Sequence, residues 1–339
     1  MNPTRVGVDL AKSVLQIHSV DRHEKVVARK KLNRAQMHTY FKSLAPCLVG
    51  MEACATSHYW ARTLMSYGHR VELIAAQFVK PYVKSGKNDA NDAEAICETV
   101  GRPTMRFVAV KTVDQQVMQA AHRIRSRLVR SRTALCNEVR GLLGEFGIVV
   151  QVGVQQLRKA LPVIDAQDDH GLTPHFLTLL RELAEELRQV DDRIKVHDKR
   201  IQAAAREDHR IRRLLEIEGI GPISASALVA AVGDAKQFAS GRDMAAWLGL
   251  VPSQHSSGGK QRLGGISKRG DTYLRTLLIH GARAALNVCG NKEDARSKWA
   301  HGLATRRNRN IATVALANKN ARIAWAVLSK EEDYRGAAR

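Results

Sequence analysis

Two short apolar runs constrain this chain most. The run Val6-Gly7-Val8-Asp9-Leu10 is broken by one acid, and Leu48-Val49-Gly50-Met51-Glu52 ends on another. Apolar runs of this length read as buried strands. A buried strand seldom carries a lone carboxylate, because stripping water from an uncompensated charge costs several kcal/mol. Asp9 and Glu52 are therefore expected at strand ends, meeting across adjacent strands beside something positive. Two more acids, Asp89 and Asp92, sit three residues apart in Lys87-Asn88-Asp89-Ala90-Asn91-Asp92-Ala93. That spacing puts both on one side of a helix, a side that Glu94 and Glu98 do not fully share. A divalent cation is the usual compensation, and oxygen-only ligands favour Mg²⁺ or Mn²⁺ over zinc. The pattern points to metal-dependent phosphoryl transfer on nucleic acid.

Charge agrees with that direction. The chain has 54 Lys and Arg against 33 Asp and Glu, a net +21. So basic a chain is suited to a polyanion. Residues 206–339 carry 23 basic and 12 acidic groups, net +11, so the last third is the expected main nucleic-acid surface. Cys47, Cys54, Cys97, Cys136 and Cys289 are scattered without a C-x-x-C pair, which argues against zinc and a disulfide framework and for reduced thiols in the cytoplasm. No apolar run nears the ~18 residues of a membrane span, and no signal peptide is evident.

Residues 4–10 and 14–20 read as a β-hairpin, with Val26-Val27-Ala28 as a third strand. Helices are expected at 34–44, 57–67, near 76–84 and from Asp89 to Val100, with strands at Leu48–Met51 and Val71–Ile74. This is a mixed α/β sheet. From Val117, positions 117, 121, 124, 128, 135, 139, 142 and 146 form a near-heptad apolar stripe. A second stripe runs Leu180, Leu183, Leu187, Val190, Ile194, Ile201, with His197 in its seam. Pro162 and Asp165–Thr173 read as a break between them. The pair is either a coiled-coil hairpin or oligomer seam, or an ordinary bundle within one subunit. Between residues 123 and 140 the first stripe's helix carries Arg123, Arg125, Arg127, Arg130, Arg132 and Arg140 against one acid, Glu138. Solvated helix faces usually mix signs, so this one is expected to touch phosphate.

Further on, Leu214–Ala225 contains Glu-Gly-Ile-Gly-Pro and reads as helix, tight turn, helix around Gly219 and Gly221. Such a turn offers backbone N–H groups to phosphate or is simply a glycine cap. Residues 253–270 hold five glycines, four serines and four basic residues, Lys260, Arg262, Lys268 and Arg269. A long polar loop of this kind is usually functional or disordered, and here the basic and hydroxyl residues favour contact with phosphate. Helices are expected at 271–289 and 309–329, and 301–322 contains five basic residues, among them Arg306, Arg307 and Arg309, and no acid.

In order along nearly the whole chain, the motifs Gly-Val-Asp-Leu-Ala-Lys, Met-Glu-Ala-Cys, Asn-Asp-Ala-Asn-Asp-Ala, Glu-Gly-Ile-Gly-Pro, Trp-Leu-Gly-Leu-Val-Pro, His-Ser-Ser-Gly-Gly-Lys and Ile-Ser-Lys-Arg-Gly-Asp resemble those of the DEDD transposases of insertion sequences, the bridge- or seeker-RNA-guided recombinases. The resemblance implies a RuvC-like, ribonuclease-H-type domain over 1–110, a helical coiled-coil region over 111–205, a mostly helical transposase domain with a serine loop over 206–330, and a tail, 331–339. It implies metal ligands Asp9, Glu52, Asp89 and Asp92, and a serine nucleophile at Ser257, with Ser256 its neighbour. It also implies double-stranded DNA at element ends and target as substrate, a guide RNA, a homo-oligomer (dimer or tetramer), and a composite site with acids and serine from different subunits.

The chemistry is coherent. A serine hydroxyl is a weak nucleophile at neutral pH, and no Ser-His-Asp set surrounds it; His255 is near only in sequence. Carboxylate-held metal is the better activator, and two ions roughly 4 Å apart suit four carboxylates. A phosphoserine link would let strands rejoin without ATP. One alternative keeps the acids but uses water as nucleophile, as in a metal-dependent nuclease or junction resolvase. Another is a non-catalytic nucleic-acid-binding protein.

Overall fold

The computed structural model describes residues 2–84, 89–167, 171–256 and 260–334. Contacts divide the chain into two units, one ending at Val113 and one starting at Asp114.

In the first unit the order is β1 (Arg5–Leu10), β2 (Val14–Val20), β3 (Val26–Asn33), α1 (Arg34–Ser43), β4 (Leu48–Glu52), α2 (Ser57–Ser66), β5 (Arg70–Ile74), α3 (Ala76–Val79), α4 (Asp89–Val100) and β6 (Phe107–Val108). The strands form one sheet, ordered β3-β2-β1-β4-β5-β6. β1, β4 and β5 run parallel, while β2, β3 and β6 pair antiparallel to their neighbours. This mixed sheet is compatible with the expected ribonuclease-H-type fold. The third strand runs well beyond the expected Val26–Ala28, because it follows β2 to its end in register, down to Val14↔Asn33. The two-residue β6 carries no sequence signal.

Side chains alternate across a strand, and that sorts the two faces. Val6, Val8, Val49, Met51, Val71 and Leu73 point to one side and pack with Met37 and Phe41 of α1 and Trp60 and Leu64 of α2. The opposite face carries Gly7, Asp9, Gly50 and Glu52, and α4 lies across it. Gly7 and Gly50 are register partners in β1 and β4. A Cβ on Gly7 would fall 2.2 Å from the Ala93 carbonyl oxygen, and one on Gly50 would fall 2.7 Å from Cβ of Val100. The two glycines thus form a flat seat on which α4 rests.

The second unit contains α5 (Val113–Glu145), α6 (Val154–Ala166), α7 (Pro174–Glu207), α8 (His209–Leu215), α9 (Pro222–Val232), α10 (Gly241–Trp247), β7 (Pro252–Gln254), β8 (Leu263–Ile266), α11 (Thr272–Val288), α12 (Ala295–Arg306) and α13 (Arg309–Lys330). At 33 residues, α5 is roughly 50 Å long. Leu135, Val139 and Leu143 of α5 pack with Leu157, Leu161 and Ile164 of α6 and Leu180 and Leu187 of α7. Leu128, Val190 and Ile194 continue that contact.

The expected seam is met only in part. The second stripe faces inward, apart from half-buried Leu183 and His197. On α5, however, Val117 is 62% exposed, Ile124 and Leu142 are also exposed, and so is Phe146 just past its end. The buried line instead includes Cys136 and Leu143, because α6 inserts beside α5 and widens the covered face. Pro162 does not break the chain as expected. It lies inside α6, where burial of Leu157, Leu161 and Ile164 outweighs the one backbone hydrogen bond a proline removes.

α8 to α13 share a second core built on Leu214, Leu228, Met244, Leu278, Leu316 and Ala321. The polar stretch after Val251 is not all loop: β7 and β8 pair antiparallel as a small hairpin. All five cysteines are free. No helix among the described residues is long and apolar enough to cross a membrane.

Candidate active site

The carboxylates meet because of the glycine seat. Gly7 and Asp9 are two residues apart in β1, as are Gly50 and Glu52 in β4, so each acid shares its glycine's face. α4 lies over Gly7 at Ala93 and Cys97. One turn toward its N-terminus lie Asp89 and Asp92, both in the first turn. A helix N-terminus carries partial positive charge and favours carboxylates. One oxygen from each of Asp9, Asp89 and Asp92 lies within 4.8 Å of the others. Asp9 and Asp92 are half-buried and Asp89 is exposed.

Glu52 is not part of that 4.8 Å group, yet it belongs to the same field. Burial, then the charges of Asp92, Asp89 and Glu52, push the Asp9 carboxyl up to about 6. Burial and the charge of Asp92 also raise Glu52, with Lys80 opposing. These acids repel one another, and a hard divalent cation is what such an oxygen-only cluster fits. Glu94 and Glu98, set aside on the sequence, are engaged elsewhere. Glu94 is ion-paired with Lys84 and with Arg29 at 3.4 Å, and the Lys84 contact lowers its carboxyl below the usual range. Glu98 pairs with Arg102.

The expected phosphate contacts divide by environment. Arg125 is ion-paired with Asp198 of α7, and Arg132 lies 3.3 Å from Asp191, which Arg158 also grips. The single-sign helix is thus partly answered by acids of α7 far away in sequence. Arg123, Arg127 and Arg130 are exposed and form no ion pair among the described residues. Gly219 has φ +87°, a left-handed backbone that favours glycine. Its carbonyl oxygen lies 1.8 Å from where a Cβ on Gly281 would stand, so this turn is a tight crossing with α11. The Glu218 carbonyl accepts from Arg296 at 2.7 Å and Asn320 at 3.0 Å. Gly221 is the exposed N-cap of α9.

Lys260, Arg262, Lys268 and Arg269 are exposed on and after the β7–β8 hairpin, and Arg306, Arg307 and Arg309 are exposed around the α12–α13 turn. Ser257 lies outside the described residues. Its neighbour Ser256 is tied into the hairpin: Oγ accepts from Gln254 Nε2 at 2.9 Å and from the Arg262 backbone N–H at 3.4 Å.

Gly7, Gly50 and Lys80 were not singled out from sequence. A signal for the glycines was present, since both strands read Gly-x-acid.

A mixed sheet with three converging carboxylates, joined to a basic helical unit, is compatible with a ribonuclease-H-type fold carrying an acidic site. Comparison with known proteins narrows this. Residues 211–299 match the transposase IS116/IS110/IS902 family, and residues 6–148 match a DEDD transposase family. The chain is 61% identical to a probable family 20 transposase of Pseudomonas aeruginosa, over 99% of both chains. It is 48% identical to the transposase for insertion sequence element IS1111A of Coxiella burnetii, over 97% of this chain and 91% of that one. It is 41% identical to the transposase for insertion sequence element IS1328 of Yersinia enterocolitica, over 97% and 98%. The chain belongs to the IS110/IS116/IS902 transposase family, whose members are enzymes that cut and rejoin DNA.

Proposed function

We propose that this transposase moves insertion-sequence DNA through a phosphoserine intermediate, with the acid cluster as its metal centre. The carrying observation is the approach of Asp9, Asp89 and Asp92 to within 4.8 Å of one another on one face of the sheet. With Glu52 beside them, these residues would hold Mg²⁺ or Mn²⁺. When bound, a divalent ion supplies charge neutralisation and Lewis acidity at a phosphodiester.

The chain's own residues do the rest. Asp9 and Glu52 are fixed by strands, and Asp89 and Asp92 by the first turn of α4, so the cluster is preorganised. Exposed Arg123, Arg127 and Arg130, with Lys260, Arg262, Lys268, Arg269, Arg306, Arg307 and Arg309, offer sequence-independent phosphate contacts. Ser257 is the nucleophile. Its Oγ loses a proton and bonds to phosphorus, and the P–O bond to one strand breaks as the leaving oxygen gains a proton. Attack by another strand's hydroxyl reverses the step and frees the serine.

The division of labour follows the sequence regions 1–110 for the metal centre, 111–205 for the long helices and 206–330 for the serine loop. A guide RNA choosing the target by base pairing, and a dimer or tetramer in which one subunit's acids meet another's serine, complete the proposal. It rests on the motif order and on the family.

The test is a labelled element-end substrate reacted with the full chain and divalent ion, then resolved under denaturing conditions with and without protease. A protease-sensitive DNA adduct is expected for wild type and for Ser256→Ala, and none for Ser257→Ala. Cleavage by active wild type with no adduct would replace serine with water as the nucleophile.

A further inference from the structure

A large cleft lies in the second unit. It is walled by α13, roofed by the start of α10 and by Trp299 of α12, and floored by the β7–β8 hairpin. Its volume, about 1510 Å³, exceeds the ~300–1,000 Å³ of small-molecule pockets. It suits a stretch of polymer.

The lining has two chemistries. Most of it is apolar, including Leu250, Pro252, Ile266 and Val314, and Ile311 there is 56% exposed. Among the described residues, the charged ones in the lining are Arg242, Lys319 and Arg322, and none is a carboxylate. Arg242 and Arg322 form no ion pair among the described residues. Lys319 Nζ stands over the Trp299 ring, 4.3 Å from its centre. Burial and then the neighbouring Arg296 and Arg322 lower the Lys319 ammonium, with Asp294 opposing. On the floor, the space where a Gly265 Cβ would stand is open, which allows close approach to the backbone.

We propose that this cleft seats an unpaired stretch of DNA, with bases against Trp299 and the apolar wall and phosphates against Arg242, Lys319 and Arg322. A docked protein helix would need carboxylates to answer three cations. A single strand brings one phosphate per nucleotide and an apolar base face, the combination the cleft offers. The inference rests on DNA being the substrate but not on the metal or the serine.

The test uses the full chain in EDTA, with a fluorescein-labelled single-stranded DNA of about 12 nucleotides, its RNA counterpart, and duplex element-end DNA, followed by anisotropy. Trp299→Ala should weaken single-strand binding roughly 5- to 150-fold, the range for loss of one base–aromatic stack. Trp299→Phe should stay within a few-fold of wild type. Lys319→Gln with Arg322→Gln should lower the slope of log affinity on log salt by about 1.4. Trp299 is 37% exposed, and the charge pair provides a second, independent readout. The proposal is overturned if both sets of variants bind single strands as wild type does, if they change sedimentation instead of affinity (a second copy then fills the cleft), or if RNA binds tighter with the same dependence. Normal duplex binding with indifferent single-strand binding removes the cleft alone. Failure to bind any DNA removes the functional reading as well.

Discussion

Replacing Gly7 with alanine probes how the carboxylates are brought together. The added Cβ would fall 2.2 Å from the Ala93 carbonyl oxygen and 2.4 Å from the Cys97 nitrogen, whereas real Cβ contacts are essentially never under 3.0 Å. Both obstacles are helix backbone, so no rotamer change relieves them. α4 must retreat by about 0.8 Å, the difference between those distances. Overpacking of this kind costs about 1–3 kcal/mol, which lowers the melting temperature of a unit this size by roughly 5–20 °C. Asp89 and Asp92 ride on the displaced helix, so the cluster opens as well. Misplacement near 1 Å can cost about 100-fold in rate, and strand cleavage should fall accordingly while nucleic-acid binding stays within about two-fold. Gly50→Ala is the internal comparison. It meets a side chain, Val100, at the last residue of α4, and should be milder in both stability and rate. Circular dichroism melts and a Mg²⁺-dependent cleavage assay measure both. A Gly7→Ala chain that melts within 2 °C of wild type and cleaves normally, or one milder than Gly50→Ala, would refute the glycine seat.

Asp9→Asn and Asp92→Asn should each abolish strand cleavage with retained DNA binding, whereas Glu98→Gln, whose carboxylate pairs with Arg102, should cleave normally. Replacing Arg123, Arg127 and Arg130 by glutamine should weaken binding at every sequence and reduce the salt slope by about 0.9 per lost duplex phosphate contact; an unchanged slope would mean these side chains face no phosphate. Arg125→Gln, by contrast, strands Asp198 and should act chiefly on stability, seen as a lower melting temperature. His122 is buried, with Nδ1 3.1 Å from the Tyr273 hydroxyl and Nε2 3.0 Å from that of Ser226. Burial, then Arg125, holds it down to about 4. The unfolded chain therefore binds the extra proton between pH ~6.5 and ~4, so this group's contribution is intact above pH ~6.5 and is lost as pH falls through that window. In His122→Gln the pH dependence of unfolding free energy there should be shallower by up to ~1.4 kcal/mol per pH unit; parallel curves for the two proteins would contradict this.

The first unit was largely legible because its signals are local. Alternating apolar residues give β1, β2, β4 and β5, and the helix over Asp89–Val100 has the expected bounds. Asp9 and Glu52 were visible as charges in apolar runs, and Asp89 and Asp92 by their spacing of three on one helix side. What could not be read is how closely α4 approaches the sheet, since that follows from Gly7 and Gly50 falling into register across two strands. The second unit was less legible. α5 has an apolar period, but whether Val117 or Leu143 is buried depends on where α6 inserts, a fact about a neighbouring helix. The same limit applied to the arginines. Arg125 and Arg123 look alike in sequence, and only the partner on α7, Asp198, distinguishes them. α12 went unread because its buried face consists of Arg296, Ser297 and Ala300 rather than large apolar residues.

The central claim is that Asp9, Asp89 and Asp92, with Glu52, form one cation-binding centre. Electron paramagnetic resonance of free Mn²⁺, titrated against the DNA-free protein, tests it without any turnover. Wild type should remove Mn²⁺ from solution in competition with Mg²⁺, Glu98→Gln should match it, and Asp92→Asn should bind at least tenfold more weakly. Equal Mn²⁺ uptake by wild type and Asp92→Asn would place the metal elsewhere and contradict the account.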